Sequence, residues 1–493
     1  MIISIDNIKS IITTGGADNL YGDVFKQLRE YMSVDVEGSF WARKNSNYKW
    51  DGKRYFITEK RREMATGFLP TLLKHIDRTY PELEVTLEDD RKSLPKFTKE
   101  FISQIGNFKM EGIYDHQARI VKAFNNYIDF RGQKIYFPRG ICDAATNAGK
   151  TVIMAGVKEN LTTQPSMLVL IHNKQVFSEL FNFFKNVYPV VGQINQKTYD
   201  PQDVTIAMIQ TLYSRIDSMQ VRKDLNNFRV LAIDECHRSG AKSYAKVLQY
   251  CNAGVRIGLS GTALDSGNVV NKMIAIGLTS HRLEKITKRE LMDKGVSTNV
   301  EVHIHLCNTI LYKPLIDYKD IQRECIYESV ERASIIWKNI TDGYVLAAVD
   351  KIEHGRILHK HLLSLAKGSD KIVALTHGQD PNQLEVVDAF KRGEIDILIS
   401  TAILQEGVNL PLVDQTYYCG GGKSVISLKQ WMGRSERLLK GKEVAYFHDF
   451  YDIGKFIRKH SEERIRAYKK EELKVVEHYD PKEVKKLKPI VIR

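Results

Sequence analysis

Short, uninterrupted apolar runs alternate with longer amphipathic stretches through most of the chain. Residues 166–171, 204–209, 230–233 and 255–259 form such runs, and helix-period stretches follow the first three at 174–187, 215–227 and 241–250. A second series of apolar runs occupies 344–349, 371–375, 396–400, 415–419 and 444–447. Strands that are apolar on both faces and separated by helices are what a parallel sheet covered on both sides requires. Two series therefore predict two α/β domains, joined somewhere within 302–342. The first 93 residues have another texture. Helical stretches near 18–31 and 69–80 flank a hairpin expected at Trp50-Asp51-Gly52-Lys53-Arg54, because Asp-Gly between aromatic residues favours a tight turn. The polar run 88–93, followed by Pro95, reads as a linker. The pattern thus predicts a small, separate α+β module ahead of the two larger domains.

Composition narrows the classes. With 493 residues, 43% apolar and 27% charged, the chain is globular rather than disordered, and at about 150 residues per domain it holds roughly three domains. No run reaches the ~18 apolar residues of a membrane span. Six scattered cysteines, none in a Cys-x-x-Cys pair, argue against a disulfide scaffold and a zinc ribbon. The opening Met1–Asp6 stretch lacks a basic leader, so a cytoplasmic location is expected. Lys plus Arg number 73 against 60 acids, a net charge of +13 that favours a polyanionic partner. Much of this excess lies in 41–62 and 455–493. The first cluster is interleaved with Phe40, Trp41, Tyr48, Trp50, Tyr55 and Phe56. Such aromatics either stack on bases or build the module's core, and the core reading is preferred for most of them. Lys49, Trp50, Lys53 and Arg54 are the candidate DNA contacts in this module, the cations as phosphate ligands.

The candidate chemistry begins at Ala144-Ala145-Thr146-Asn147-Ala148-Gly149-Lys150-Thr151, between an apolar segment and a helix. A strand–loop–helix of this kind turns backbone N–H groups toward phosphate oxygens, and the helix N-terminus favours anions. Lys150 would reach the outer phosphates of a nucleotide, and the Thr151 hydroxyl would bind Mg²⁺. Ala144 and Asn147 stand where glycine is commoner, although Asn tolerates positive φ. Asp234-Glu235-Cys236-His237 follows the run 230–233, so its carboxylates emerge at the C-terminal edge where open α/β sheets bind ligands. Asp234 would hold Mg²⁺ and Glu235 would activate the attacking water. Far downstream, Arg434 and Arg437 are three residues apart and share one helix face. Arginines brought to a transferring phosphoryl group neutralise its developing charge.

These segments resemble the motifs of the superfamily-2 DExH-box helicases, in the family's order, from Tyr114 to Asp449. Tyr114-Asp115-His116-Gln117 resembles the adenine-recognising glutamine motif, with Gln117 on the base. Ile209-Gln210-Thr211 resembles the first lobe's nucleic-acid segment, and Ser260-Gly261-Thr262 resembles motif III. Ser400-Thr401 through Glu406-Gly407-Val408-Asn409-Leu410-Pro411 resembles motif V, and Gln430-Trp431-Met432-Gly433-Arg434-Ser435-Glu436-Arg437 resembles motif VI. His172-Asn173 and Leu264 depart from the family pattern. The resemblance implies two RecA-like parallel-sheet lobes, at 94–305 and 306–455, preceded by the α+β module at 1–93 and followed by a basic helical tail at 456–493. It implies ATP and Mg²⁺ as cofactors. Lys150, Asp234, Glu235, His237, Gln430, Arg434 and Arg437 would form the catalytic set, with Arg437 as the arginine finger. Gln117, Thr146, Asn147, Ala148, Gly149, Lys150, Thr151 and Gly407 would hold the nucleotide, and Thr211 and Thr401 would grip the nucleic-acid backbone.

The segment Asn47-Tyr48-Lys49-Trp50-Asp51-Gly52-Lys53 is also similar to the amino-terminal domain of phage recombination and repair helicases of the UvsW type. That similarity implies forks, displacement loops and four-way junctions as substrates, in recombination, repair or replication restart, with the protein a monomer on DNA in the cytoplasm of an infected host. Two other readings stay open. One is a duplex translocase of the restriction or remodelling type that does not separate strands. The other is a nucleotide-gated nucleic-acid-binding protein.

Overall fold

The computed structural model describes all residues except 14–18, 40–49, 92–93, 262–263, 265–267, 309, 312–316, 342, 405–409, 411, 436–443, 485, 489 and 492–493. The chain divides into two compact units, Met1–Ile286 and Thr287–Arg493. Each is built on a mostly parallel sheet with helices packed against it, the α/β architecture of a RecA-like lobe. Among the described residues no helix is long and apolar enough to cross a membrane.

The sheet of the first unit has eight strands. Their order is Tyr199–Asp200, Gly192–Ile194, Val204–Met208, Met167–Ile171, Val230–Asp234, Val255–Ser260, Arg139–Ala144 and Arg282–Ile286. Only the first pair is antiparallel. The five strands from Val204–Met208 to Arg139–Ala144 are buried along their whole length, as runs apolar on both faces must be. The predicted helix over 215–227 is two shorter ones, Ile209–Arg215 and Met219–Asn227.

The seven-stranded sheet of the second unit is parallel throughout. Its order is Val373–Thr376, Ile397–Ser400, Tyr344–Ala348, Val413–Tyr418, Val444–Asp452, Asn299–Cys307 and Lys474–Glu477. Two expected boundaries move as a result. The join lies at 286/287 rather than 305/306, because Asn299–Cys307 pairs along its full length with Val444–Asp452. Residues 456–493 are not an appended tail. Strand Lys474–Glu477 extends the sheet, and helix Ile457–Lys470 buries Arg464, whose guanidinium donates to both oxygens of Asp449 at 2.8 and 3.0 Å. The helix's remaining basic residues lie mostly on its outer face, which is what the composition registered.

The amino-terminal segment needs a larger correction. It forms a four-stranded sheet, Glu63–Ala65, Lys9–Thr13, Ile2–Ile5 and Thr86–Asp89, packed with helices Asn19–Tyr31 and Leu69–Thr79. The expected linker at 88–93 therefore begins inside a strand, and Arg91 is buried, bonding Asp89 at 2.7 Å and the Tyr136 carbonyl at 2.8 Å. No two-residue hairpin closes at Asp51-Gly52. Lys53–Tyr55 pairs instead with the distant Ser33–Asp35. Nor is the segment separate. Its core of Ile3, Ile5, Leu28, Leu72 and Ile76 continues into Ile128, Phe130, Ile135 and Phe137 of the hairpin Tyr127–Phe130/Gln133–Tyr136 and its following turn, and Met273 and Ile276 pack against it. Gly67 sits so close to helix Val269–Leu278 that an added Cβ would strike the carbonyls of Ile276 and Gly277. The Ser280 hydroxyl donates to the Gly67 carbonyl at 3.1 Å, and Arg139 donates to the Asn7 carbonyl at 3.0 Å.

Candidate nucleotide-hydrolysis site

The buried strand Arg139–Ala144 delivers the chain to a loop in which Asn147 (φ 71°) and Gly149 (φ 77°) both take left-handed backbone. Helix Lys150–Glu159 starts immediately afterwards, with Gly149 as its N-cap. First-turn N–H groups lack partners within the helix, so the loop and helix end together form a phosphate cradle. The positive φ favours glycine at 149, and an added Cβ there would push the tip of the Gln117 side chain aside. Gln117 is buried and donates to the Ala148 carbonyl at 3.2 Å, as does His116 at 3.1 Å. In this structure Gln117 therefore braces the loop.

The second half of the site comes from the strand Val230–Asp234, which lies beyond Val255–Ser260 in the sheet. Asp234 ends Val230–Asp234 and is buried, and Glu235 follows with φ 49°, a conformation that non-glycine residues hold only where the surroundings impose it. The Glu235 carboxylate forms an ion pair with the Lys150 ammonium. Its other oxygen accepts from the Ser260 hydroxyl at 2.8 Å and lies 3.3 Å from His237 Nδ1, which is itself 2.8 Å from that hydroxyl. Burial raises the proton affinity of Glu235, but Lys150 and His237 outweigh it and hold the carboxyl well below the usual carboxylate range. Glu235 is thus an ionised carboxylate held by three groups beside the phosphate cradle. Thr151, in the helix's first turn, and Asp234 offer the hard oxygen donors that Mg²⁺ takes, and the positive-φ loop suits a polyphosphate. The residues present fit ATP and Mg²⁺.

Thr211 lies on helix Ile209–Arg215 beside a cavity of about 620 Å³ whose lining includes Lys174, Phe177, Lys197, Met208 and Arg215. Gln210 and Thr211 were visible as a nucleic-acid segment and His172 as a departure from the family pattern, but the cavity they share with Lys174, Phe177, Lys197, Met208 and Arg215 was not legible in the sequence, since its residues come from separate elements. Ser260 was visible as part of a motif, but its bond to Glu235 was not.

In the second unit, Gln430 and Arg434 lie one turn apart on helix Val425–Ser435, with Arg434 buried. Thr401 follows strand Ile397–Ser400 and is half-buried, its carbonyl accepting from the Ser400 hydroxyl at 2.9 Å. Gly407 and Arg437 lie outside the described residues, as do Lys49, Phe40, Trp41 and Tyr48. Of the other amino-terminal candidates, Trp50 is 43% exposed and donates to the Lys53 carbonyl at 3.1 Å, so it is not core. Lys53 is ion-paired with Glu30, and Arg54 is exposed. Tyr55 lies under the Arg29 guanidinium at 3.7 Å, and Phe56 packs on the amino-terminal core.

Comparison with known proteins agrees with this geometry. Residues 111–265 match the family of the res subunit of type III restriction enzymes, and residues 329–438 match the helicase conserved C-terminal domain. The chain is 26% identical over 338 residues to the ATP-dependent helicase IRC3 of Saccharomyces cerevisiae, covering 62% of this chain and 47% of the yeast protein. It thus spans about half the length of that relative. Among solved structures, the DNA-bound Type ISP restriction-modification enzyme LlaBIII superposes with a TM-score of 0.55 at 15% identity, over 83% of this chain and 34% of that one, which shows the fold. The T4 UvsW structure covers 97% of this chain and 99% of its own at 17% identity, with a TM-score of 0.43, too low to argue from. With both halves of the helicase core matched in order and the phosphate loop and acidic motif brought into contact, the chain belongs to the superfamily-2 helicases.

Proposed function

We propose that this chain is an ATP- and Mg²⁺-dependent DNA helicase that unwinds or branch-migrates forks, displacement loops and four-way junctions in recombination, repair or replication restart. The observation that carries the ATPase part is the Glu235 carboxylate, held ionised by Lys150, Ser260 and His237 beside the phosphate cradle. When bound, ATP supplies the phosphoanhydride to be hydrolysed, and Mg²⁺ supplies charge neutralisation at its phosphates. Thr151 and Asp234 would hold the metal. The N–H groups of Thr146, Asn147 and Gly149 would bind phosphate oxygens, and that of Ala148, which donates to the Ala145 carbonyl at 3.1 Å, would join them on exchanging that partner.

Lys150 exchanges the Glu235 carboxylate for phosphate, because an ammonium at a helix N-terminus is drawn to the more highly charged anion. Glu235 then keeps Ser260 and His237 as its holders and turns its freed oxygen to the proton of the attacking water. Arg437, as the finger, neutralises the transferring phosphoryl, Arg434 makes a γ-phosphate or interdomain contact, Gln430 contacts the attacking water or the nucleotide, Gly407 contacts the nucleotide and Gln117 reads the base. Thr211 and Thr401 hold the sugar-phosphate backbone, which gives little sequence preference, as a translocating motor requires. Branched-DNA affinity is assigned to the amino-terminal module, through Lys49, Trp50, Lys53 and Arg54. The protein acts as a monomer on DNA in the cytoplasm, that of the host if it is encoded by a phage.

The test is DNA-stimulated ATPase across single strands, duplexes, forks and four-way junctions, paired with strand displacement and triplex displacement. Strand separation with preference for branched substrates is expected. Triplex displacement without strand separation would make the protein a duplex translocase. Nucleic-acid binding without turnover would make it a nucleotide-gated binding protein.

A further inference from the structure

The cavity beside Thr211 has a chemistry that backbone contact alone does not require. Phe177 and Met208, both buried, give it an apolar floor, and the Phe177 ring is backed by Phe181 in parallel at 6.1 Å. Its cations are Lys174, Lys197 and Arg215, and among the described residues no carboxylate lines it. None of the three makes an ion pair with another described residue; Arg215 donates to the Gln196 carbonyl at 3.4 Å and lies 5.6 Å from the Tyr199 ring. A volume of about 620 Å³ lies within the ~300–1,000 Å³ range of sites that enclose small organic ligands. Phosphate contact would be served by the cations and by backbone and hydroxyl donors. A buried aromatic and a methionine below them are suited to a planar, weakly polar group.

We infer that this cavity takes one unpaired nucleobase of the strand being tracked, with its base against Phe177 and Met208 and its phosphates on Lys174, Lys197 and Arg215. This rests on the nucleic-acid motor reading and sharpens it. A base can lie against Phe177 only after leaving the duplex stack, so the first unit would hold a single strand rather than an intact duplex. Any base has a stacking face, so the site grips every nucleotide in turn without reading sequence.

The experiment compares binding of the full chain to a labelled thymidine 12-mer and to the same oligonucleotide with every base removed. A backbone-only grip binds both equally. Base insertion predicts that the wild type prefers the intact strand by about 5- to 150-fold, the range for one stacked base. Phe177→Ala should abolish the preference while binding to the abasic strand persists. Ser214→Phe fills the same cavity from an exposed position and should do the same without opening the core, with thermal unfolding confirming that each variant is folded. Equal wild-type affinities for the two strands would overturn the inference and leave the motor reading standing. A preference that survives in the folded variants would place the base contact elsewhere and overturn it too. Failure of the wild type to bind any nucleic acid would remove the motor reading, and this inference with it.

Discussion

Deleting residues 1–93 is the perturbation that most clearly separates a tethered module from an integral one. The deletion uncovers Ile128, Phe130, Ile135 and Phe137, none more than 7% exposed in the intact chain, together with parts of Met273 and Ile276. At roughly 1.5–3 kcal/mol per fully buried side chain, those four alone lose about 6–12 kcal/mol, an upper estimate because the unfolded chain already shields some apolar surface. A whole domain is stable by only about 5–15 kcal/mol. The truncated chain should therefore be insoluble, or should bind a hydrophobic dye and unfold without a cooperative transition. The assay is soluble yield followed by thermal unfolding and dye binding, beside the intact protein. A milder companion is Gly67→Ala, whose added Cβ meets the backbone of helix Val269–Leu278 and should lower the melting temperature by several degrees. A soluble 94–493 fragment that melts cooperatively at the intact protein's temperature would refute the shared core.

Glu235→Gln should keep ATP affinity and lose turnover by about 10²–10⁴-fold, the usual contribution of a positioned base, measured by equilibrium nucleotide binding and steady-state ATPase. Ser260→Ala removes one holder of that carboxylate and should lower kcat by about tenfold with little change in KM, since a hydrogen bond to a charged group contributes about 1.5–3 kcal/mol at most. Arg437→Ala should cost about 10³-fold or more in kcat, and Arg437→Lys should not restore it, because an ammonium lacks the guanidinium fork. The second unit should lose stability as pH falls. Burial, with His478 and His303 nearby, depresses His305 from 6.5 to about 4, so between those values the unfolded chain takes up the proton that the folded chain refuses. Thermal unfolding from pH 7 to pH 4 should show a falling midpoint, and His305→Phe should flatten it.

The legible parts of the sequence were those in which one short segment carries the physics. Val230–Asp234 is apolar throughout because it is buried on both faces, and its run points straight to the acids that follow. The Gly149-Lys150 junction was legible because a positive φ and a phosphate-seeking cation occur side by side. Asn299–Cys307 was missed because Glu301, His303 and His305 alternate with Val300, Val302 and Ile304, so it never presents a continuous apolar run. The amino-terminal docking was hidden because it depends on Gly67 and Gly277 being small, a property with no local signature. The Lys150–Glu235–Ser260–His237 contact set joins residues up to 110 positions apart and becomes visible only when three parallel strands align.

Under the proposed function, hydrolysis at the Lys150–Glu235 site drives strand exchange in branched DNA. The most direct measurement is a single-turnover assay on a mobile four-way junction carrying a fluorophore and quencher on arms that branch migration separates, run with ATP and Mg²⁺ for the wild type and Glu235→Gln. The account predicts that the wild type resolves the junction only with hydrolysable ATP, and that Glu235→Gln binds it with similar affinity but leaves it intact. Resolution by Glu235→Gln at the wild-type rate, or by the wild type without hydrolysable nucleotide, would contradict it.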